Sequence, residues 1–342
     1  MSALPLADFD YEYPEELVAR APAEPRDASR LLVVDRGARR LEHATFRELP
    51  RHLKAGDCLV LNRTKVMPCR LMGRKSTGGK VDLLLVRELG PAEWSALSSG
   101  LKAGQALEFP GGMSARVEGS TDEGEYRLTF SARDLRSYLA EHGLPPLPPY
   151  IAKKRAASRA DLPRYQTVYA RDEGSIAAPT AGLHFTPELL ERLRAAGVLT
   201  AWVTLHVGRG TFKPITGDDA ERHVMLPERY EVEACEAETL RATKARGGRL
   251  VAVGTTATRT LETLAYSPGG LSAGSGESSL YIRPGHSFRA VDALLTNFHL
   301  PRSTPLLLAC AFAGRERLLA AYREAMTKRY RLFSFGDAML IA

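Results

Sequence analysis

The chain has 342 residues, 44% of them hydrophobic, and a formal net charge of +7. That length suits about two domains, and the hydrophobic share is that of a globular chain with a core rather than a disordered one. No apolar run reaches the roughly 18 residues that a membrane-spanning helix needs, and the acidic opening "MSALPLADFDYEYPEEL" lacks the layout of a secretory leader, so a cytoplasmic location without membrane contact is expected.

To about residue 66 a Pro-rich entry gives way to short strands. "RLLVVDR" (30–36) and "DCLVLN" (57–62) predict two of them from their β-branched apolar content. From about 70 to 145 the texture changes to short strand-like pieces between Gly-rich turns: "KVDLLLVREL", "EWSALSSG", "ALEFPGG", "SARVEGS" and "EYRLTFS". Their regular spacing predicts a small antiparallel barrel or sandwich. "LPPLPPYI" (144–151) marks a stiff connection.

α/β texture follows. "TPELLERLRAAG" predicts a helix capped by Thr186, with Pro187 at its first position and Gly197 past its end. "LTAWVTLHVG" (199–208) is a strand, and "GRLVAVGTTATRTLETLAY" (248–266) reads strand, glycine turn, helix with a threonine cap. "GGLSAGSGESS" (269–279) reads as a flexible surface loop. "VDALLTNFHLP" ends another strand, "TPLLLACAFAG" (304–314) is a buried helix, and "GRERLLAAYREAMTKRY" is an amphipathic one. The expected architecture is an α/β domain, residues 1–68 and 150–342, interrupted by a β-barrel domain at 69–149.

Four polar clusters fall just after strands, where α/β sheets place ligands: "NRTK" (62–65), "LHVGRGTF" (205–212), "VGTTATRT" (253–260) and "TNFHLPRST" (296–304). None is a Walker A sequence or a three-glycine dinucleotide fingerprint. His184, His206 and His299 lie in or beside such loops. No two have metal-ligand spacing, and the four cysteines form no CxxC pair, so no metal site and no disulfide framework is expected. Arg259 suits a carboxylate fork, or an ordinary ion pair. Asp337, in "SFGDAML", suits an oriented carboxylate, or a turn. The small residues of "GSIAAPTAGLHFT" (174–186) would let another body approach the backbone closely. Positive charge concentrates in "KKRAASRADLPR" (153–164) and "REAMTKRYR" (323–331), permissive for a polyanion and equally the pattern of a solvated face.

Taken together, "LNRTKVMPCRL", "RYQTVYA", "GSIAAPTAGLHFT", "TLHVGRGTFKPI", "VGTTATRTLE", "VDALLTNFHLPRST" and "FSFGDAMLI" closely resemble the S-adenosylmethionine:tRNA ribosyltransferase-isomerase family of queuosine biosynthesis. The likeness runs over nearly the whole chain in the family's order. It implies the α/β fold with its inserted barrel. It also implies the reaction: the ribosyl part of S-adenosylmethionine, a cosubstrate and not a permanent cofactor, moves onto the aminomethyl group of a 7-deazaguanine in the tRNA anticodon loop. Epoxyqueuosine forms in the tRNA, and adenine and methionine leave.

Such chemistry needs a base, an acid for adenine and a clamp for the methionine carboxylate. Against it, the expected catalytic residues are His184 and His206 for proton transfer, with Asp337 or His299 orienting. Cosubstrate contacts are expected from Thr180, Gly182, Gly208, Gly210, Thr211, Gly254, Thr255, Thr256 and Arg259. Substrate contacts are expected from Arg26, Asn62, Thr64, Lys65, Tyr165, Gln166, Phe185 and His223, although Phe185 fits the core better. The small residues before His184 would admit substrate to the backbone.

Three departures stand out. Leu226 replaces the second histidine of the family's His-x-Met-His-x-Glu, so that histidine is inferred not to be the essential base, or activity is altered. Lys153 replaces an arginine, and Cys69 an alanine. A non-catalytic tRNA-binding relative, and an S-adenosylmethionine enzyme acting on a free small molecule, are the alternatives. A monomer is the default expectation.

Overall fold

The structure, a computed structural model, describes residues 4–38, 40–121, 124–212 and 215–342, with the backbone alone at 211 and 212. The chain divides into two compact units, Met1–Lys65 with Gln166–Glu173 and Ala178–Ala342, and Val66–Tyr165 with Gly174–Ala177. Along the chain come β1 (Arg30–Val34), β2 (Leu41–Thr45) and β3 (Cys58–Asn62). The smaller unit then supplies β4 (Arg70–Lys75), β5 (Lys80–Gly90), β6 (Glu93–Leu97), β7 (Ala106–Glu108), β8 (Ser114–Ser120), β9 (Tyr126–Phe130) and helix α1 (Leu135–His142). Helix α2 (Pro187–Ala195), β10 (Leu199–Leu205), β11 (Glu228–Val232), α3 (Ala234–Ala245), β12 (Leu250–Val253) and α4 (Gly254–Tyr266) follow in the larger unit. It ends with β13 (Gly274–Ser278), β14 (Ala293–Asn297), α5 (Thr304–Ala313), α6 (Arg315–Thr327) and β15 (Ala338–Ile341).

Among the described residues, the larger unit is built on a nine-stranded sheet in the order β13-β11-β10-β3-β12-β14-β15-β1-β2. Strands β10, β3, β12 and β14 run parallel. Every residue of β3, β12 and β14 is buried, as expected of strands covered on both faces. Strand β15 runs antiparallel to β14, with Asn297 opposite Ala338, and β1 runs parallel to β15. The C-terminal ends of four strands and the N-terminal ends of two therefore meet at one crest. Below it, Leu59, Leu61, Val251, Val253, Leu295 and Leu340 pack with Phe46, Phe185, Leu189 and Leu193.

Helix α2 begins as its sequence predicts: Thr186 accepts a hydrogen bond from Leu189 N at 3.2 Å, and Gly197 adopts φ +78°. Helix α4 differs. Val253 occupies its cap position with no side-chain cap, and Gly254 makes the turn at φ +87°. The threonines lie inside the helix, where Thr258 and Thr260 bond back to the carbonyls of Gly254 and Thr256. The segment 269–279 is not wholly a loop. Residues Gly274–Ser278 form edge strand β13, antiparallel to β11, because a Gly/Ser-rich segment can still pair through its backbone.

In the smaller unit, β9-β6-β5-β4-β7-β8 close into an antiparallel barrel, so no strand edge is left open. Along β5 the alternation is direct: Val81, Leu83 and Leu85 are buried, and the intervening Asp82, like Lys80 before them, is exposed. No helix among the described residues is long and apolar enough to cross a membrane.

Candidate active site

All four polar clusters reach the crest of the larger unit, and buried amides tie it together. Asn62, at the end of β3, donates to the carbonyl of Leu205 at 2.9 Å and to Thr256 Oγ1 at 3.2 Å. Its Oδ1 accepts from the backbone N–H groups of Thr64 and Leu205, both at 3.1 Å. The side chain is fully buried and satisfied, so Asn62 fastens the ends of β3 and β10 instead of presenting itself to a ligand.

Asn297, at the end of β14, plays the matching part for His184. Its Nδ2 donates to the carbonyl of Phe333 at 3.4 Å, which sets the orientation of the amide, and its Oδ1 accepts from Thr180 Oγ1 at 3.0 Å. The same Nδ2 lies 3.1 Å from His184 Nε2. That nitrogen therefore accepts, and Nδ1 carries the proton toward Ser29 Oγ at 2.7 Å. The ring stacks on Phe46 with centroids 4.9 Å apart. Burial pushes the His184 pKa down to about 4, against the pull of Asp337. With both nitrogens engaged inside the protein, His184 offers a ligand neither a lone pair nor a proton.

Gly182 answers what the small residues before His184 are for. A Cβ there would stand 2.0 Å from the Tyr169 hydroxyl and 2.8 Å from Thr167 Cγ2. The body that approaches this backbone is the protein's own Tyr169. Ala181 likewise lies against Gly254, where a Cβ would meet it at 3.5 Å.

His206, just past β10, is half-buried and has one engaged nitrogen: Nδ1 lies 2.9 Å from Thr64 Oγ1. No partner among the described residues meets its Nε2. Burial lowers its pKa, opposed by the negative charges of Asp172 and Glu231. The ring lines a groove of about 410 Å³ together with Thr204, Arg229, Tyr230, Glu231 and Ser275–Glu277. His299 Nε2 bonds Thr296 Oγ1 at 2.8 Å, its backbone N–H donates to the Tyr322 hydroxyl, and burial pushes its pKa down to about 3. Asp337 hydrogen-bonds neither His184 nor His299, although its charge acts on His184. Its carboxylate accepts from Arg30 N at 3.0 Å, Arg30 Nε at 3.3 Å and Arg331 N at 2.8 Å.

Arg259 is 7% exposed and its guanidinium closes on Glu228, itself 5% exposed. Glu228 Oε1 also accepts from Gly208 N at 2.8 Å. The carboxylate fork seen in the sequence is thus met from within by Glu228, and among the described residues Arg259 Nη1 has no hydrogen-bond partner. Thr255 and Thr256 are half-buried in the first turn of α4. Gly208 and Gly210 flank Arg209, and Leu226 packs beside Gly210, 3.5 Å from where its Cβ would stand. Thr211 lies in the turn Arg209–Phe212, but its side chain is outside the described residues.

Arg26 donates to the carbonyls of Gln166 at 2.9 Å and Leu183 at 3.2 Å. Lys65 pairs with Glu173 at 2.7 Å. Phe185 is fully buried against Phe46. His223 sets its ring edge-on to Tyr281. Tyr165 is 1% exposed and belongs to the smaller unit. Sequence reasoning missed Ser29, Asp172 and Glu228, and it named Thr296 and Asn297 only within the polar run 296–304; all five hold the crest residues in place. Glu233, Cys235 and Glu236 bring donor atoms within 4.8 Å of one another. However, Glu233 pairs with Arg63 and Arg171, and Glu236 accepts from Trp202 N, which leaves little for a metal.

A family model described as "Queuosine biosynthesis protein" matches residues 6–341. The S-adenosylmethionine:tRNA ribosyltransferase-isomerase of Anaeromyxobacter sp. (strain Fw109-5) is 56% identical over 346 residues, 98% of this chain and 99% of that protein. The protein of the same name from Thermotoga petrophila is 50% identical over 339 residues, with 98% and 99% covered. The crystal structure of a S-adenosylmethionine tRNA ribosyltransferase from Thermotoga maritima superposes with a TM-score of 0.57 at 40% identity, covering 98% of this chain and 100% of that one.

Proposed function

The chain belongs to the queuosine biosynthesis protein family, and from that premise we propose how the crest of its larger unit carries out the family's reaction. It is a ribosyltransferase-isomerase that uses S-adenosylmethionine and acts on tRNA. We place the acceptor, the aminomethyl group of a 7-deazaguanine, in the anticodon loop, with epoxyqueuosine-tRNA, adenine and methionine as products. The setting is cytoplasmic and the working form a monomer.

The sulfonium acidifies the neighbouring 5′ carbon. In this reading His206 Nε2 takes that proton, adenine is expelled and the ribose ring opens. The tRNA amine then attacks, and the epoxide closes as methionine leaves. One observation carries the choice: of the two histidines expected to transfer protons, His206 alone keeps an unengaged nitrogen beside a groove. Its depressed pKa leaves it neutral, and so able to accept a proton, at pH 7. His184 becomes a wall residue that fixes Asn297 and Thr180. Thr255, Thr256 and the backbone N–H groups opening α4 would take the cosubstrate's polar ends, since Arg259 is already paired with Glu228.

The test is an assay with S-adenosylmethionine and an anticodon stem-loop carrying the aminomethyl deazaguanine, read by mass spectrometry of the digested RNA. A new epoxyqueuosine nucleoside with released adenine supports the reading, and its loss in His206→Gln supports the base. RNA binding without product, from folded protein, would refute it.

A further inference from the structure

We infer that Thr64 is a positioning residue that holds His206 in the Nδ1–H tautomer, so that the Nε2 lone pair faces the groove. The inference rests on His206 as the base and goes on to name what prepares it. It also reassigns Thr64, which the sequence places among the substrate contacts.

Thr64 is fully buried, at the start of the segment that leaves β3. Its Oγ1 has two polar neighbours, the backbone carbonyl of Asp172 at 3.5 Å and His206 Nδ1 at 2.9 Å. A carbonyl can only accept, so the hydroxyl proton goes to Asp172. With the hydroxyl proton on that side, the Thr64 oxygen accepts and Nδ1 of His206 donates, the assignment that proton–nitrogen spectra read. A neutral imidazole with its proton on Nδ1 has its lone pair on Nε2.

The carbonyl is itself held in place. The Asp172 side chain accepts from Thr204 Oγ1 at 2.6 Å, Arg63 Nε at 2.9 Å and Arg171 Nε at 2.8 Å. Arg63, only 5% exposed, also binds Glu233 at 2.6 Å. The order base, hydroxyl, anchored carbonyl is the arrangement in which a base is oriented by a third group. The charges facing His206 are Asp172 from the 166–173 segment and Arg229 and Glu231 from β11. None of them selects a tautomer, because none hydrogen-bonds the ring.

Long-range proton–nitrogen spectra of the 15N-labelled full chain read the tautomer directly, with His206→Gln assigning the signal. The wild type should show the Nδ1–H form. Thr64→Val, close in shape but lacking the acceptor, should move His206 toward Nε2–H and lower kcat about tenfold or more, with KM for S-adenosylmethionine within about twofold. Thr64→Ser should keep the wild-type tautomer and kcat within about threefold. An Nε2–H wild type would overturn the proposal. So would a Thr64→Val variant with unchanged tautomer, or a Thr64→Ser variant as slow as Thr64→Val, which would point to packing. His206→Gln separates the two ideas: undiminished turnover there removes the base, and with it any catalytic effect of Thr64. An inactive His206→Gln beside a fast Thr64→Val removes Thr64 alone.

Discussion

Arg259 on α4 and Glu228 on β11 form an ion pair inside the larger unit, 31 positions apart in sequence and each less than a tenth exposed. Removing one partner strands the other as a buried charge. Arg259→Met or Glu228→Gln should each cost about 3 kcal/mol in urea unfolding. The Arg259→Met, Glu228→Met double variant should lie closer to the wild type than either single change. Additive losses would show that the pair is not the unit of stability.

The buried neutral His184 gives the stability a pH dependence. Its pKa falls from the ordinary 6.5 to about 4 in the folded chain. The unfolded chain therefore takes up the proton first. The contribution is complete above pH 6.5, declines as pH falls from there, and is spent by about pH 4. The span corresponds to up to about 3 kcal/mol. Urea midpoints between pH 7 and 4 should fall less steeply in His184→Gln than in the wild type. Equal slopes would assign the effect to other groups.

Gly182→Ala should destabilise by about 1–3 kcal/mol through overpacking, because the new methyl meets the Tyr169 hydroxyl. That hydroxyl is buried and makes no hydrogen bond among the described residues. Tyr169→Phe alone should therefore be neutral or mildly stabilising, and it should recover part of the Gly182→Ala loss. No recovery in the double variant would mean that the crowding lies elsewhere.

Within the basic 153–164 segment, Arg155 is tied to Asp161 at 2.8 Å, and Arg159 to the carbonyls of Gly143 and Ala140. Lys153 is exposed and makes no ion pair among the described residues. Lys153→Glu should weaken tRNA binding and reduce the salt slope of log K by about 1 or more. An unchanged slope would take Lys153 off the phosphate path.

The parts of this fold legible in the sequence are those written locally. Thr186, Pro187 and Gly197 announce α2, and the buried runs of β3, β12 and β14 announce the parallel sheet with polar clusters at its crest. What stayed hidden depends on distant partners. The run "GSGES" has no strand signature, and it becomes β13 only because β11 offers its backbone. Arg259 looks like a ligand clamp until Glu228 is seen beside it. His184 looks like a base until Ser29, 155 positions away, and Asn297, 113 away, take up both its nitrogens. A histidine's availability is a property of its neighbours, and those are set by topology.

The sheet order also fixes a sequence of events during synthesis. Hairpin β1–β2 joins the remaining strands only through β15. Residues 30–45 are made about 300 positions ahead of residues 338–341, yet they have no place in the sheet until those have been made. A nascent chain stopped short of β15 can still pair β13, β11, β10, β3, β12 and β14, but it leaves β1–β2 unattached, so the crest is completed only once β15 is in place.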